Sequence, residues 1–322
     1  MRSTLAVSLA TSVGMLVGAG TVLAQEDYPD RPISVAACYG AGGGVDRNVR
    51  MIERVAPDHI GQSLLIEYRT GGSGTVAMQY ISEADPDGYS LASCDNGGAI
   101  IAPIAQGLDF DGDDVTPIAQ ISFQPWLMTT RANSPYESVE DLVAAAKSSG
   151  EPIAIEISDI ATSDHYGWLQ FIKAAGLDPS RFKWNPHGGG GEKMRAIMAG
   201  EGDLLNDDAG EIEQHVKAGT LRALAVYNDK RLPNFPDVPT LKELGYDVTS
   251  GSAIALFAPP GLSEEKANKL REAMKEIKAD PILIESFQLS LQDPDTFIVD
   301  GFAESWKEDW ANARELLSAV LQ

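Results

Sequence analysis

Cys38-Tyr39-Gly40-Ala41-Gly42-Gly43-Gly44-Val45-Asp46 is the stretch that decides the fold. The run before it, Ile33-Ser34-Val35-Ala36-Ala37, has the composition of a buried strand. After it, Asp46 to Ile60 places Val49, Ile52 and Val55 on one side of a helix, with Pro57 or Gly61 as the stop. A glycine-rich turn between strand and helix leaves backbone N–H groups facing outward, and the helix N-terminus adds partial positive charge. An anionic group of a small molecule is expected there.

The same rhythm repeats downstream. Ser63 to Tyr68 reads as a strand, Arg69 to Gly74 as a second glycine-rich turn, and Ala77, Tyr80, Ile81 and Ala84 as one helical face. Tyr89 to Cys94 is a third strand, closed by Asp95-Asn96-Gly97-Gly98. This βαβαβ order predicts a mostly parallel sheet with ligand groups at the carboxyl ends of its strands, Asn96 among them. Val115 to Thr130 is strand-like and interrupted by Gln124-Pro125-Trp126, where the chain is expected to enter a second lobe. Ile153 to Ile157, Phe182 to Asn185, Asp203 to Asp208 and Leu221 to Tyr227 are its strands, and the return is expected across Val248 to Phe257. Two long helices, near 264–278 and 302–320, finish the chain. The expected division is residues 1–24 as a leader, 25–124 with 253–322 as lobe 1, and 125–252 as lobe 2.

Arg2, the small and apolar run from Leu5 to Leu23, and Val22-Leu23-Ala24 resemble a secretory signal peptide cleaved after about Ala24. No later segment is apolar for a membrane-spanning length, so a soluble exported chain is expected. The 322 residues carry 25 Lys and Arg against 47 Asp and Glu, a formal charge of −22. Such a surface excludes binding to nucleic acid or to anionic membranes through bulk charge. An anionic ligand must then be held by local amides and dipoles against the global field.

Cys38 and Cys94 end the first and third strands, which are commonly neighbours in doubly wound sheets. A disulfide in an oxidising compartment and two buried thiols both remain open. There is no CxxC, H-x-H or H-E-x-x-H spacing among His59, His165, His187 and His215, so no metal site is expected. The first loop lacks the last small residue of a dinucleotide fingerprint, and no loop carries Gly-Lys-Ser/Thr, so no cofactor is expected.

Three loops follow a strand and precede a helix: 40–44, 158–164 and 187–191. Facing each other from two lobes, they can clamp a small anion; singly, each is a tight turn. The candidate ligand residues are Tyr39, Ala41, Gly42, Gly43, Asp46, Asn96, Ile160, Ala161, Thr162, Ser163, His187, Gly188, Gly189 and Asp207. Tyr39 and Trp126 can wall the pocket. Thr162 and Ser163 offer hydroxyls or cap the next helix, and Asp46 caps its helix or latches the lobes. Ser163-Asp164-His165 has the residue types of a hydrolytic triad, but adjacent positions on a helix start do not face one another, and no G-x-S-x-G occurs. An exported hydrolase using Ser163 with His165 or His187 is the competing enzyme reading; a ligand-sensing adaptor is another.

Further blocks carry a resemblance. They are Tyr28-Pro29-x-Arg31-Pro32-Ile33, Gly42-Gly43-x-x-Asp46, Pro86-Asp87-Gly88-Tyr89-Ser90-Leu91, Gly200-Glu201-x-Asp203 and Leu221 to Val226. Lys230-Arg231-x-Pro233 and Pro236-Asp237-Val238-Pro239-Thr240-Leu241 are the most specific. From Tyr28 to about Leu317 the chain resembles the substrate-binding proteins of tripartite tricarboxylate transporters, the TctC or Bug receptors. The resemblance implies an α/β, two-lobed, type II periplasmic-binding-protein fold, each lobe a mixed, mostly parallel sheet flanked by helices. It implies a monomeric, non-enzymatic periplasmic receptor that hands a small organic acid to a two-subunit membrane permease. In the family, the loops matching 39–43 and 160–163 hold a carboxylate through backbone amides and water, and those matching 187–191 and Asp207 complete the pocket. This chain departs from the pattern: Cys38-Tyr39 replaces Pro-Phe, and Asp159 and Asp164 add negative charge. A ligand carrying an amine or several hydroxyls fits that change.

Overall fold

The computed structural model describes residues 28–148, 150–187, 190–290 and 292–320. The proposed leader, Gly188 and Gly189 lie outside the described residues. The strands are β1 (Ile33–Ala37), β2 (Leu64–Tyr68), β3 (Ser90–Asp95), β4 (Thr116–Arg131), β5 (Ile153–Ile157), β6 (Phe182–Pro186), β7 (Leu204–Asp208), β8 (Leu221–Val226) and β9 (Gly251–Ala258). The helices are α1 (Gly44–Ile60), α2 (Thr75–Glu83), α3 (Ala102–Gln106), α4 (Val139–Lys147), α5 (Ser163–Ala174), α6 (Gly190–Ala199), α7 (Ala209–Lys217), α8 (Glu264–Lys278), α9 (Pro281–Leu289) and α10 (Phe302–Val320). None of the described helices is long and apolar enough to cross a membrane.

The sheet runs β2-β1-β3-β9-β4-β7-β5-β6, with β8 also paired to β4. β1 is parallel to both β2 and β3, and β5 is parallel to both β6 and β7. The inner parallel strands β1, β3 and β5 are short, mostly buried runs, while the edge strands β2 and β6 are largely exposed. Between the two parallel groups lie the antiparallel strands β9 and β4. β4 is 16 residues long and changes partners midway. Its ladder with β9 runs to the pair Pro125↔Gly251, and its ladder with β7 starts at Trp126↔Asp208. Gly251 is required at that crossing: a Cβ there would lie 2.2 Å from the Gln124 carbonyl oxygen.

One apolar core is built on β1, β3, β9 and the last helix, with Phe257, Trp306 and Trp310 packed together. A second gathers Trp126, Trp168, Phe171 and Tyr227, and a third, smaller one holds Leu127, Ile197 and Ile212. α5 belongs to two of them. Trp168, Phe171 and Ile172 face the second core, while Tyr166 and Leu169 pack against the first, as does Ala161 just before the helix.

The expected elements appear within a few residues of their reading. Pro57 does not end α1, which continues to Ile60 and is closed by Gly61 in a left-handed turn at φ 78°. α3, α7 and α9 were not foreseen; α7 and α9 carry start signals, since Asp208 accepts from the N–H of Glu211 and Asp280 from that of Ile282. The structure joins Cys38 and Cys94 in a disulfide across the neighbouring ends of β1 and β3.

Candidate functional site

A cleft of about 360 Å³ opens where the two parallel groups meet. Tyr39, Ser73, Asp95 and Gly97 line one side. Residues of the segment Ser158–Asp164 line the other, and Trp126 and Ser252 stand at the strand crossing. These walls are the carboxyl ends of β1, β3 and β5, where open α/β sheets bind ligands. A larger cavity of about 660 Å³ lies among Arg47, Phe123, Pro125, Asp208, Lys230 and Asp293. It includes the carboxyl end of β7, but the α7 N-terminus there is already capped by Asp208.

The segment after β5 is held from below. Asp164 Oδ2 accepts the Ser158 N–H at 2.8 Å and the Lys193 ammonium at 2.9 Å. Its Oδ1 accepts the Thr162 hydroxyl and the His165 N–H. Burial works against the Asp164 carboxylate, but Lys193, Thr162 and Ser158 outweigh it and hold its pKa below the usual carboxylate range. Ala161 sits at φ 60°, a left-handed conformation that a non-glycine residue keeps only where its surroundings enforce it. The Thr162 side chain makes no cap to α5, whose His165 N–H is taken by Asp164 Oδ1 and whose first residues, Ser163 and Asp164, line the cleft.

On the opposite wall, Asp95 Oδ1 accepts the Tyr39 hydroxyl at 3.1 Å and the Gly98 N–H at 2.9 Å. Burial raises the Asp95 pKa, and the Asp164 charge adds to the rise. Trp126 is 7% exposed, and its indole N–H has no acceptor among the described residues.

Of the residues expected to contact ligand, Tyr39, Ala161, Thr162 and Ser163 line this cleft. The glycine loop itself does not. The Gly42 N–H is occupied by Asp46 Oδ2 at 2.7 Å, and the Gly43 N–H points to the Gly40 carbonyl. Ala41 belongs to that same turn and lines neither cavity. Asp46 is buried and also accepts from Tyr68 and Arg50, so it fixes the loop from within. Asn96 bridges to the backbone of Gly251 and Ala253. Ile160 is 44% exposed at the rim. His187 pairs with Glu156, and Asp207 faces Lys193 at 3.6 Å. Ser73, Asp95, Gly97 and Ser252 were missed. The first three follow strand ends or occupy the second glycine-rich turn, which is the signal that marks Tyr39.

His165 does not serve Ser163. Its Nδ1 accepts the Ala161 N–H at 3.1 Å, its Nε2 is buried without a partner among the described residues, and its ring stands edge-on to Trp184. Burial, opposed by the charges of Asp164 and Asp159, lowers its pKa to about 4. The unfolded chain protonates this imidazole near 6.5, so the fold loses stability as pH falls from 6.5 towards 4. His165→Asn keeps an acceptor for Ala161 and removes the titration. Between pH 7.5 and 4.5 the stability advantage of wild type over this variant should shrink by about 2.5 kcal/mol. Urea unfolding at both pH values measures it, and an unchanged gap refutes the assignment.

The model of the tripartite tricarboxylate transporter family receptor, TctC, matches residues 48–301. A UPF0065 protein from the TAR-I ttuE-ttuC' intergenic region of Agrobacterium vitis is 30% identical over 267 residues, 82% of this chain and 76% of that protein. A TctC solute-binding protein from Polaromonas, solved without ligand, superposes with TM-score 0.77 at 25% identity. That match covers 91% of this chain and 99% of the Polaromonas chain. MatC from Rhodopseudomonas palustris, solved with bound malate, has the same fold, with TM-score 0.71 at 23% identity over 90% of this chain and all of that one. The family match spans most of the chain, and the cleft lies at the strand ends where such folds bind solutes, so the chain belongs to the TctC receptor family of periplasmic solute-binding proteins.

Proposed function

We propose that this receptor captures a small organic carboxylate between two lobes and delivers it to the two-subunit permease of a tripartite transporter. The chain is read as exported, with its leader removed after about Ala24. Residues 25–124 with 253–322 form one lobe and 125–252 the other, hinged where β4 exchanges β9 for β7. The observation that carries the reading is that Ser158, Thr162 and Ser163, at and just before the α5 N-terminus, line the cleft. Helix-end amides and hydroxyls hold a carboxylate without a basic side chain. The bound malate of MatC, a protein of the same fold, supports this ligand class.

Thermal unfolding across a panel of small carboxylates tests the reading. A ligand at a hundred times its Kd adds about 2.7 kcal/mol to the native state, a rise in Tm of about 4 °C for a chain of this size. Ser252→Trp, at the strand crossing, should abolish the rise. A panel that leaves Tm unmoved, or a rise that survives Ser252→Trp, refutes the site. Loss of uptake of the identified solute on deleting the permease tests delivery.

A further inference from the structure

α5 passes closer to the strand crossing than a side chain would allow, and the point of contact is Gly167. This residue is buried in the second turn of α5. Its φ is not positive, so its backbone does not call for glycine, and glycine is a poor helix former. The reason for it lies across the interface. A Cβ at Gly167 would stand 3.0 Å from the Ser250 hydroxyl oxygen, 3.1 Å from Cδ1 of Trp126 and 3.4 Å from the Asn206 amide nitrogen. Non-bonded carbon contacts settle at about 3.5–4.0 Å, so all three neighbours would press on the helix together.

The strand side of this contact is tied down. The Trp126 N–H donates to the Ser250 carbonyl, and the Ser250 N–H to the Tyr227 carbonyl, each at 3.1 Å. Asn206 lies within β7, paired with Met128, and its carbonyl accepts the Lys193 ammonium. The helix is therefore the side that yields. It carries one wall of the cleft, because its first two residues, Ser163 and Asp164, line it. Trp126 and Ser252 line the cleft from the strand side. Tyr166 and Trp168, on either side of Gly167, pack into the first and second cores. The contact thus lies where α5 passes from one core to the other, and a shift there moves one cleft wall relative to the other.

Resting on the receptor reading above, we propose that Gly167 is a positioning residue: its missing side chain sets the width of the cleft between the start of α5 and the strand crossing, and with it the ligand length that the receptor prefers. A methyl group at 167 holds α5 a few tenths of an ångström further from Trp126 and Ser250. That loosens contacts to an acid fitted to the wild-type width and makes room for a longer one.

The test uses two homologous series, the straight-chain monocarboxylates from acetate to octanoate and the dicarboxylates from malonate to suberate. Affinities come from titration calorimetry on the whole mature chain. Gly167→Ala should weaken the acid that wild type binds most tightly by about tenfold, and the homologue one methylene longer by less than about threefold, within the range that one methylene is worth in a fitted pocket. The ratio of the two affinities then moves towards the longer acid. Ser250→Thr crowds the same contact from the strand side. It should move the ratio the same way, and it decides the matter if Gly167→Ala does not fold. A merely structural defect weakens all acids alike. Equal losses for both acids, or a ratio unchanged in the folded variants, overturns this inference and leaves the carboxylate receptor intact. A wild type that binds no member of either series overturns both.

Discussion

Lys193→Met should cost the fold about 3–5 kcal/mol at neutral pH, the penalty of leaving buried charge without its partner. Lys193 is a fully buried lysine on α6. Its ammonium donates to the Asn206 carbonyl at 2.6 Å and to Asp164 at 2.9 Å, and lies 3.6 Å from Asp207. Burial disfavours the ammonium, yet Asp164 and Asp207 hold its pKa above the usual lysine value. Burial also pushes Asp207 up to about 6, partly opposed by Lys193. Without the ammonium, Asp164 loses its strongest compensation and burial raises its pKa too.

That change reverses the local pH dependence. In wild type, Asp164 contributes stability above its unfolded pKa near 3.8 that is lost at lower pH. In the variant the buried carboxylates are a penalty at neutral pH, relieved as pH falls and they protonate. The gap between the proteins in urea unfolding should therefore be largest at pH 7–8 and narrow towards pH 5. Lys193→Met combined with Asp164→Asn should recover more than half of the loss, because the buried charge is then gone with its partner. A single variant within 1 kcal/mol of wild type at neutral pH defeats the argument. The same pair anchors Ser158 and Thr162, so Lys193→Met should also weaken ligand binding.

The frame of the molecule was legible because it rests on local patterns. Short apolar runs closed by glycine or acid gave the parallel strands, and Gln124-Pro125-Trp126 marked the place where β4 changes partner. The site was legible in part, for a physical reason. A glycine-rich turn after a strand exposes amides in principle, but Asp46 lies four residues on and takes up the Gly42 N–H, which no periodicity reveals. The loop after β5 carries the same hydroxyls and amides in the cleft itself. Lys193 reads from sequence as one more solvated helical lysine. Its partner Asp164 is 29 residues away, and only the packing of α6 against β5 and β7 joins them. α7 was missed because only Ile212 is fully buried, so its apolar stripe is too thin to read.

Replacing Cys38 and Cys94 together by alanine should cost about 4 kcal/mol. The bond closes a loop across a sequence separation of 56, and the chain-entropy model assigns about that much to its restriction of the unfolded state. The native state adds a reason for the effect to reach the ligand. Both cysteines are fully buried, and each immediately precedes a cleft residue, Tyr39 in one case and Asp95 in the other. A Cβ on Gly98 would lie 2.6 Å from the Cys94 sulfur and one on Gly74 3.0 Å from it, so the sulfur fills the space where those two backbones meet. Its removal leaves a void there and loosens the Tyr39–Asp95 hydrogen bond at the same time. Guanidinium unfolding of the oxidised protein, the reduced protein and the double variant separates the contributions. Reduction and double substitution should each lower stability by roughly 2–5 kcal/mol, the range seen on losing a native disulfide, and each should weaken ligand binding. Oxidised and reduced forms that unfold together within 1 kcal/mol would show that the bond does not constrain the unfolded chain. Lost stability with unchanged affinity would show that Tyr39 and Asp95 are held by the sheet alone.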